Sequence, residues 1–434
     1  MIKIGCEKRN MLPDQPKQIS LVLVMVCIYI FLCIERPWES IRYLEGLPLE
    51  RVYAISMIIT AFMCDRFKIV SSPTNKWVYG LLLLHFVLAP FAFNSGYAVD
   101  QGFEYAKMIV LYLLMLSVAD DEESLNIMVK VFVFSMIIYS LHSIWEYHNG
   151  RHEWRMGISR MVGVDRTFSD PNAFGASVVL SLPFVYALLR SEAKSWLRNT
   201  YYGYFALAVI CVVLTGSRTS FVALIAVILI WILVQKGKRR LIVLVSAILA
   251  VGVIWAAMPV EKQNRIRTLW DENAGPENAT SSAEGRMIGW KVSWKMFKQV
   301  PLTGVGAGGA NFIGYRMANN IDEVGQESPT QPHVLYGQVL AEFGVGGALM
   351  LVGLVVAILR CCLFSRTSLQ ALGSTDSFVY SLSGAVIAGL VLLLLFGFGG
   401  HNFYRPLWLW LAAWAGGLYK ITNLRGVQSS AKEM

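Results

Sequence analysis

Several arginines and one histidine are the residues of this chain best suited to chemistry. Arg218 lies in Gly216-Ser-Arg-Thr-Ser220, a tight turn between two apolar runs. A guanidinium in or near hydrocarbon costs roughly 2.5–3.5 kcal/mol on insertion scales, so it needs a partner. It stays charged and grips phosphate with two parallel hydrogen bonds, and the Gly, Ser and Thr around it offer further donors. Two readings follow: a phosphate clamp, or an arginine snorkelling to an interface. Arg160 and Arg166 flank Val162-Gly163-Val164 in a loop that also holds Arg151 and Arg155. For each of them, a phosphate contact and a solvated loop position are both open. Arg265 and Arg267 begin a long polar stretch, Arg286 follows Gly285 within it, and His333 closes it. An imidazole with an ordinary pKa of about 6.5 can accept a proton near neutral pH.

Two weaker candidates accompany them. Glu342 follows His333 by two to three helical turns, where it pairs with an arginine or orients the histidine. Lys107 is a phosphate contact or, more simply, a snorkelling lysine. His85 and His142 fall inside apolar runs and read as satisfied core residues. His148 and His152 sit in the basic loop, and His401 in a short turn reads as interfacial. The glycine run 304–309 lacks the Lys-Ser/Thr ending and the preceding strand of a nucleotide loop, which argues against nucleotide binding. No His/Cys cluster has metal spacing.

The elements that must position these groups follow from composition. The chain has 434 residues, 55% hydrophobic and 15% charged, with a mean hydropathy of +0.51. Soluble domains carry roughly a quarter charged residues. Apolar runs occupy about 20–34, 52–64, 77–93, 106–118, 127–145, a stretch after Asp170-Pro171-Asn172, 203–214, 221–234, 241–257, 335–359, 378–396 and 407–419. A hydrocarbon core of ~30 Å takes about 20 residues as helix. The runs are continuous, not alternating, which excludes a membrane β-barrel, and backbone groups in lipid must be satisfied within the segment. The expected fold class is therefore an all-α integral membrane protein of about 12 spans. The first run lacks a small-residue cleavage site and reads as a retained anchor.

The net charge is +9. In such a chain it reads as the lysines and arginines of cytoplasmic loops, not as a nucleic-acid surface. Basic turns at Arg66/Lys68, Arg190/Lys194/Arg198, 236–240 and Arg360/Arg366 share one side with both tails. The acidic segment 120–123 is the exception. The basic loop 146–170, the turn at Arg218 and the polar stretch then share the opposite face. The organisation is 1–257, nine spans with short loops; 258–334, one large loop containing helices; and 335–434, three spans and a tail. Within the large loop, Met287, Trp290, Trp294 and Phe297 recur at helical spacing, with Lys291, Lys295 and Lys298 on another face. This reads as a helix at the membrane surface, the aromatics anchoring it. The seven cysteines avoid the large loop, so no disulfide framework is indicated.

Taken in order, the motifs are Arg160 with Thr167-Phe-Ser-Asp-Pro-Asn-Ala-Phe-Gly175, Leu214-Thr-Gly-Ser-Arg-Thr219, Gly285-Arg286, Pro301-Leu-Thr-Gly-Val-Gly306, Pro332-His333-Val-Leu-Tyr336 and Gln338-Val-Leu-Ala-Glu-Phe-Gly344. This pattern resembles the O-antigen ligase and polymerase (Wzy-like) superfamily of bacterial inner-membrane glycosyltransferases. Val334 stands where many members carry Asn, and Arg166 where many carry Gly. The resemblance implies a GT-C-like fold with a large periplasmic loop, both termini cytoplasmic, no metal and no cofactor. It implies transfer of O-antigen from undecaprenyl diphosphate to the lipid A core oligosaccharide, with membrane lipids as surroundings and no nucleic acid as partner. Carried onto this chain, it makes His333, Arg218 and Arg286 catalytic. Arg160, Arg166, Arg265 and Lys107 become candidate diphosphate contacts and Glu342 a supporting residue. Polymerisation on the carrier, or glycosylation of a protein, is the alternative within the superfamily. A secondary transporter fits less well, because the halves show no repeat and the polar residues gather at one face.

Overall fold

The computed structural model describes residues 4–5, 19–155, 158–165, 170–235, 237–268, 271, 281–321 and 331–433. Arg166, the Thr167-Phe168-Ser169 motif, Lys236 and the tail residues Lys3, Lys8, Arg9 and Lys17 lie outside the described residues.

Every apolar run named above is helical. The helices are α1 (Leu21–Glu35), α2 (Pro37–Ser40), α3 (Leu49–Met63), α4 (Asn75–Leu88), α5 (Ser95–Val118), α6 (Glu122–His148), α7 (Pro171–Ser191) and α8 (Ser195–Thr215). They continue with α9 (Arg218–Val234), α10 (Gly237–Ala257), α11 (Val260–Arg267), α12 (Ser281–Gln299), α13 (Gly309–Ala318), α14 (Leu335–Ala371), α15 (Phe378–Phe396) and α16 (Leu407–Glu433). Among the described residues, seven helices are long and apolar enough to cross a membrane. An eighth is added if Arg240–Ala256 and Val260–Arg267, bent by 119°, form one span. The expected count is not reached on this measure for physical reasons. α3 has 15 residues and begins with Glu50-Arg51, and α4 has 14 and stops two residues before Pro90. α9 is a shorter apolar helix, and the second half of α16 carries Lys420 and Arg425.

Helix starts follow side-chain capping. Asn94, Asp121, Asp170, Ser217 and Ser377 each accept a hydrogen bond from a first-turn amide of the helix they precede. α7 and α14 to α16 form the centre of the bundle: α7 packs on α15, and α14 on both α15 and α16. Trp414 is fully buried against Phe132 and Phe184. The acidic exception at 120–123 is neutralised by cations at the same end of the bundle. Asp120 meets Arg66 at 2.5 Å and Lys420 at 2.9 Å, and Glu122 meets Arg425 at 2.5 Å.

Three features depart from expectation. The basic loop contains a hairpin of β3 (His152–Arg155) and β4 (Ile158–Met161), preceded in the chain by the short parallel pair β1 (Ile4–Gly5) and β2 (Ile19–Ser20). Cys64 is disulfide-bonded, whereas Cys27, Cys33, Cys211, Cys361 and Cys362 are free. In α12 the buried face is Gly289, Val292, Ser293 and Met296, while Met287 and Trp294 remain exposed beside the lysines. Val292 and Met296 join Val305, Phe312, Ile321 and Ala341 in a small core of their own, which seats the large loop on α14.

α14 is broken at Gly344, whose φ of 62° and ψ of −152° are not helical. The break frees backbone groups that must find partners. The segment 301–306 supplies them. Val345 N–H donates to Pro301 O at 2.9 Å, and Ala341 O and Glu342 O accept from Val305 N–H at 2.8 Å and Gly306 N–H at 3.2 Å.

Candidate functional site

The site is built on the end of α8. A helix leaves its last carbonyls unbonded and partly negative, and cations there are favourable. Three side chains meet this need. Lys262 Nζ donates to Leu214 O at 3.0 Å, Arg160 Nε to Thr215 O at 2.8 Å, and Arg265 Nε to Gly216 O at 2.7 Å. Arg160 also donates to Asn172 Oδ1 at 3.0 Å, tying the hairpin to the start of α7. Arg160 is 1% and Arg265 5% exposed, so both lie behind the turn, engaged with backbone. Gly216 turns the chain with φ 58°, and a Cβ there would come within 3.1 Å of Ile158. Ser217 then caps α9, and Arg218 is its first residue. Arg218 Nη1 donates to Thr268 Oγ1 at 3.0 Å, and Thr268 Oγ1 donates to Arg265 O at 2.7 Å.

α12 brings the second arginine. Gly289 lies so close to Pro332 that an added Cβ would sit 2.2 Å from the Pro332 carbonyl oxygen. One turn further along the helix, Ser293 packs on Gly337 at the start of α14. Arg286 is one turn before Gly289, which carries it toward His333. His333 is exposed and adopts φ 46°, the left-handed region that a non-glycine residue seldom takes. The third wall is the turn from Gly397 to Arg405. Gly397 O accepts from Leu335 N–H at 2.8 Å. A Cβ at Gly399 would lie 3.4 Å from Thr219 Oγ1 and 3.5 Å from Arg286 Cζ. The rings of His401 and His333 stand 5.1 Å apart, tilted by 53°.

Charge is concentrated here. Burial and then the like charge of Arg218 push the Arg286 pKa down, and Asp170 opposes them. His401, although accessible from solvent, is crowded by its surroundings. Desolvation, followed by His333 and Arg405, pushes its pKa down to about 4, with Asp170 opposing. Arg405 donates to Ser177 Oγ at 3.3 Å, and burial lowers its pKa against the pull of Asp170. The start of α9 adds its own partial positive charge. The arrangement suits an anion beside a proton acceptor. Among the described residues, no group of His, Cys, Asp and Glu is placed to hold a metal ion.

Residues 203–352 match the Wzy_C family model, described as O-antigen ligase. This stretch, about a third of the chain, is similar to that family. The likeness read from the motifs is thereby shown for this stretch, and with the apolar helices it supports a glycosyltransferase-like, multi-pass membrane enzyme acting on lipid-linked polysaccharide. No curated protein matches the chain.

The matched residues include Arg218, Arg265, Arg286, His333 and Glu342, and leave out Arg160, Asp170, His401 and Arg405. Glu342 pairs with neither an arginine nor His333. It accepts from Gly308 N–H at 2.8 Å and from the Tyr404 hydroxyl, bracing the glycine run against α14 and the third wall. Lys107 pairs with Glu104 at 2.5 Å on the exposed side of α5 and joins none of the site residues. In the turn 397–405, the sequence offered His401 only as interfacial and gave Arg405 no role. The signal for this turn was Gly399-Gly400-His401, glycines that admit a guanidinium beside a second histidine.

Proposed function

We propose that this protein transfers O-antigen polysaccharide from undecaprenyl diphosphate to the lipid A core oligosaccharide, at the periplasmic face of the bacterial inner membrane. The observation that carries the reading is the convergence of Arg286 and His333 on the Gly399–His401 turn, with Arg218 near enough to Arg286 to press on it as a like charge, all three lying within the matched residues. In this reading the chain spans the bilayer about twelve times, with 258–334 periplasmic and both termini cytoplasmic.

The acceptor hydroxyl attacks the anomeric carbon of the donor sugar. Its O–H bond breaks, the proton passes to His333, and a new C–O bond forms. The bond from the anomeric carbon to the phosphate oxygen breaks, and its electron pair leaves on the diphosphate. Arg218 and Arg286 hold that growing charge with fixed guanidiniums, the task a divalent cation performs in other sites. A single displacement inverts the anomeric centre. His333, being exposed, returns its proton to water. Arg160, Lys262 and Arg265 act one step back, holding the turn that presents Arg218.

Purified protein given undecaprenyl-diphosphate-linked O-antigen and lipid A core, with chelator present, tests this. Wild type is expected to produce a ladder on lipid A core, and His333→Ala to lose about 10²–10⁴ in rate. Near-normal transfer by His333→Ala or Arg218→Ala would overturn the assignment. Lengthening of the glycan on its own carrier would make the protein a polymerase.

A further inference from the structure

A cavity of about 1230 Å³ lies between α7, α8, α9 and α10. It is larger than the ~300–1,000 Å³ of ordinary small-molecule pockets. Its walls are apolar, with Phe205, Leu224, Ile228 and Trp231 among them. Along α8 the lining runs from Arg198 to Val213, about 22 Å at 1.5 Å per residue. That is most of the length of α8.

The two ends differ. The lining near Val213, Ile254 and Met258 is apolar, with Arg267 outside it over the Trp255 ring. The other end carries Arg190 and Arg198 in its lining, and Lys194, Lys238 and Arg240 stand at the starts of α8 and α10 beside it. The acids there are already engaged: Glu192 with Lys130 at 2.7 Å, and Asp376 with Arg190 at 3.3 Å. Lys194, Arg198, Lys238 and Arg240 form no ion pair among the described residues. This end is remote from the candidate site, because α8 runs from Ser195 there to Thr215 at the Arg218 turn. The opposite end, at Val213 and Met258, adjoins the candidate site through Leu214 and Lys262.

A long apolar groove with surplus positive charge at one mouth suits an amphiphile with an anionic head. A soluble anion would leave the groove unfilled, and a neutral lipid would leave the cations unmatched. Basic pockets between membrane helices attract acidic headgroups by this charge excess. The geometry points to a binding site for one acidic glycerophospholipid, its headgroup against Lys194 and Arg198 and its chains along α8 and α9.

The test uses the full-length protein, delipidated and offered phosphatidylglycerol or phosphatidylcholine of equal chain length, with retained lipid read by native mass spectrometry. One retained phosphatidylglycerol is expected, preferred by about tenfold or more over phosphatidylcholine. Lys194→Glu with Arg198→Glu should erase the preference. Ile225→Trp, which fills the groove, should expel the lipid while leaving the melting temperature in detergent unchanged. Equal retention of both lipids by wild type would overturn the proposal without need of any variant. So would a preference that survives the charge reversal, or replacement of phosphatidylglycerol by an added polyprenyl phosphate, which would give the groove to a carrier lipid.

Discussion

At the scale of single residues, the arginines divide by what their guanidiniums hold. Arg160 and Arg265 hold backbone carbonyls at the end of α8, whereas Arg218 donates to the Thr268 hydroxyl and Arg286 lies beside Gly399. Arg218→Ala and Arg286→Ala should each lower kcat by about 10²–10³ with unchanged melting, the cost of one donor to developing charge. Arg218→Lys should recover only part of the loss, since an ammonium lacks the bidentate fork. Arg265→Ala should instead lower stability by roughly 1–3 kcal/mol, because the Gly216 carbonyl loses its buried donor. Thermal melts beside initial rates separate the two groups, and an Arg265→Ala protein that melts normally but cannot transfer would reverse its role. His401 adds a pH dependence. Its pKa is about 4 in the fold against an ordinary 6.5, so between these values the unfolded chain binds a proton that the folded chain refuses. Its contribution to stability is complete above about 6.5 and is lost as the pH falls toward 4. Melting followed from pH 7 to 4 should fall less steeply in His401→Gln than in wild type.

At the scale of elements, close glycine contacts set the geometry. Gly289 meets Pro332 with no space for a Cβ. Gly289→Ala should push α12 off the His333 segment and reduce kcat more than it reduces stability; rates and melts on the same preparation decide this. Gly344 is different, since its backbone is left-handed and a Cβ would lie 2.3 Å from Pro301 O. Gly344→Ala should destabilise the whole loop, with about 1–3 kcal/mol of backbone strain before any clash is counted. An unaltered melting curve would show that the break in α14 is not held by residues 301–306. The amphipathic reading of α12 found the helix but not its buried side. The aromatic stripe is the conspicuous apolar feature, yet the face buried in the protein is Gly289, Val292, Ser293 and Met296, with Trp290 at its edge against Gly337.

At the scale of the whole molecule, sidedness remains the claim most worth measuring. The pairing of Asp120 and Glu122 with Arg66, Lys420 and Arg425 removes the acidic exception from the basic side, which supports cytoplasmic termini. In a cysteine-less background, Lys291→Cys on the exposed face of α12 should react with an impermeant thiol reagent in cells with a permeabilised outer membrane. Thr367→Cys, exposed at the far end of α14, should react only after lysis. The reverse pattern would invert the topology.

Run length alone determined that this chain is a bundle of apolar helices, because lipid gives backbone groups no other partner. Residue type and order were enough to put forward Arg218, Arg286 and His333 as candidates. Which arginines brace a helix end was decided by tertiary structure alone. A guanidinium donates equally well to a phosphate and to a carbonyl, so its role depends on what lies within 3 Å of it, a distance that spacing along the chain does not encode. The same holds for His401 and Arg405. They lie far along the chain from Arg218 and reach the site only because α15 and α16 pack against α14 and α7.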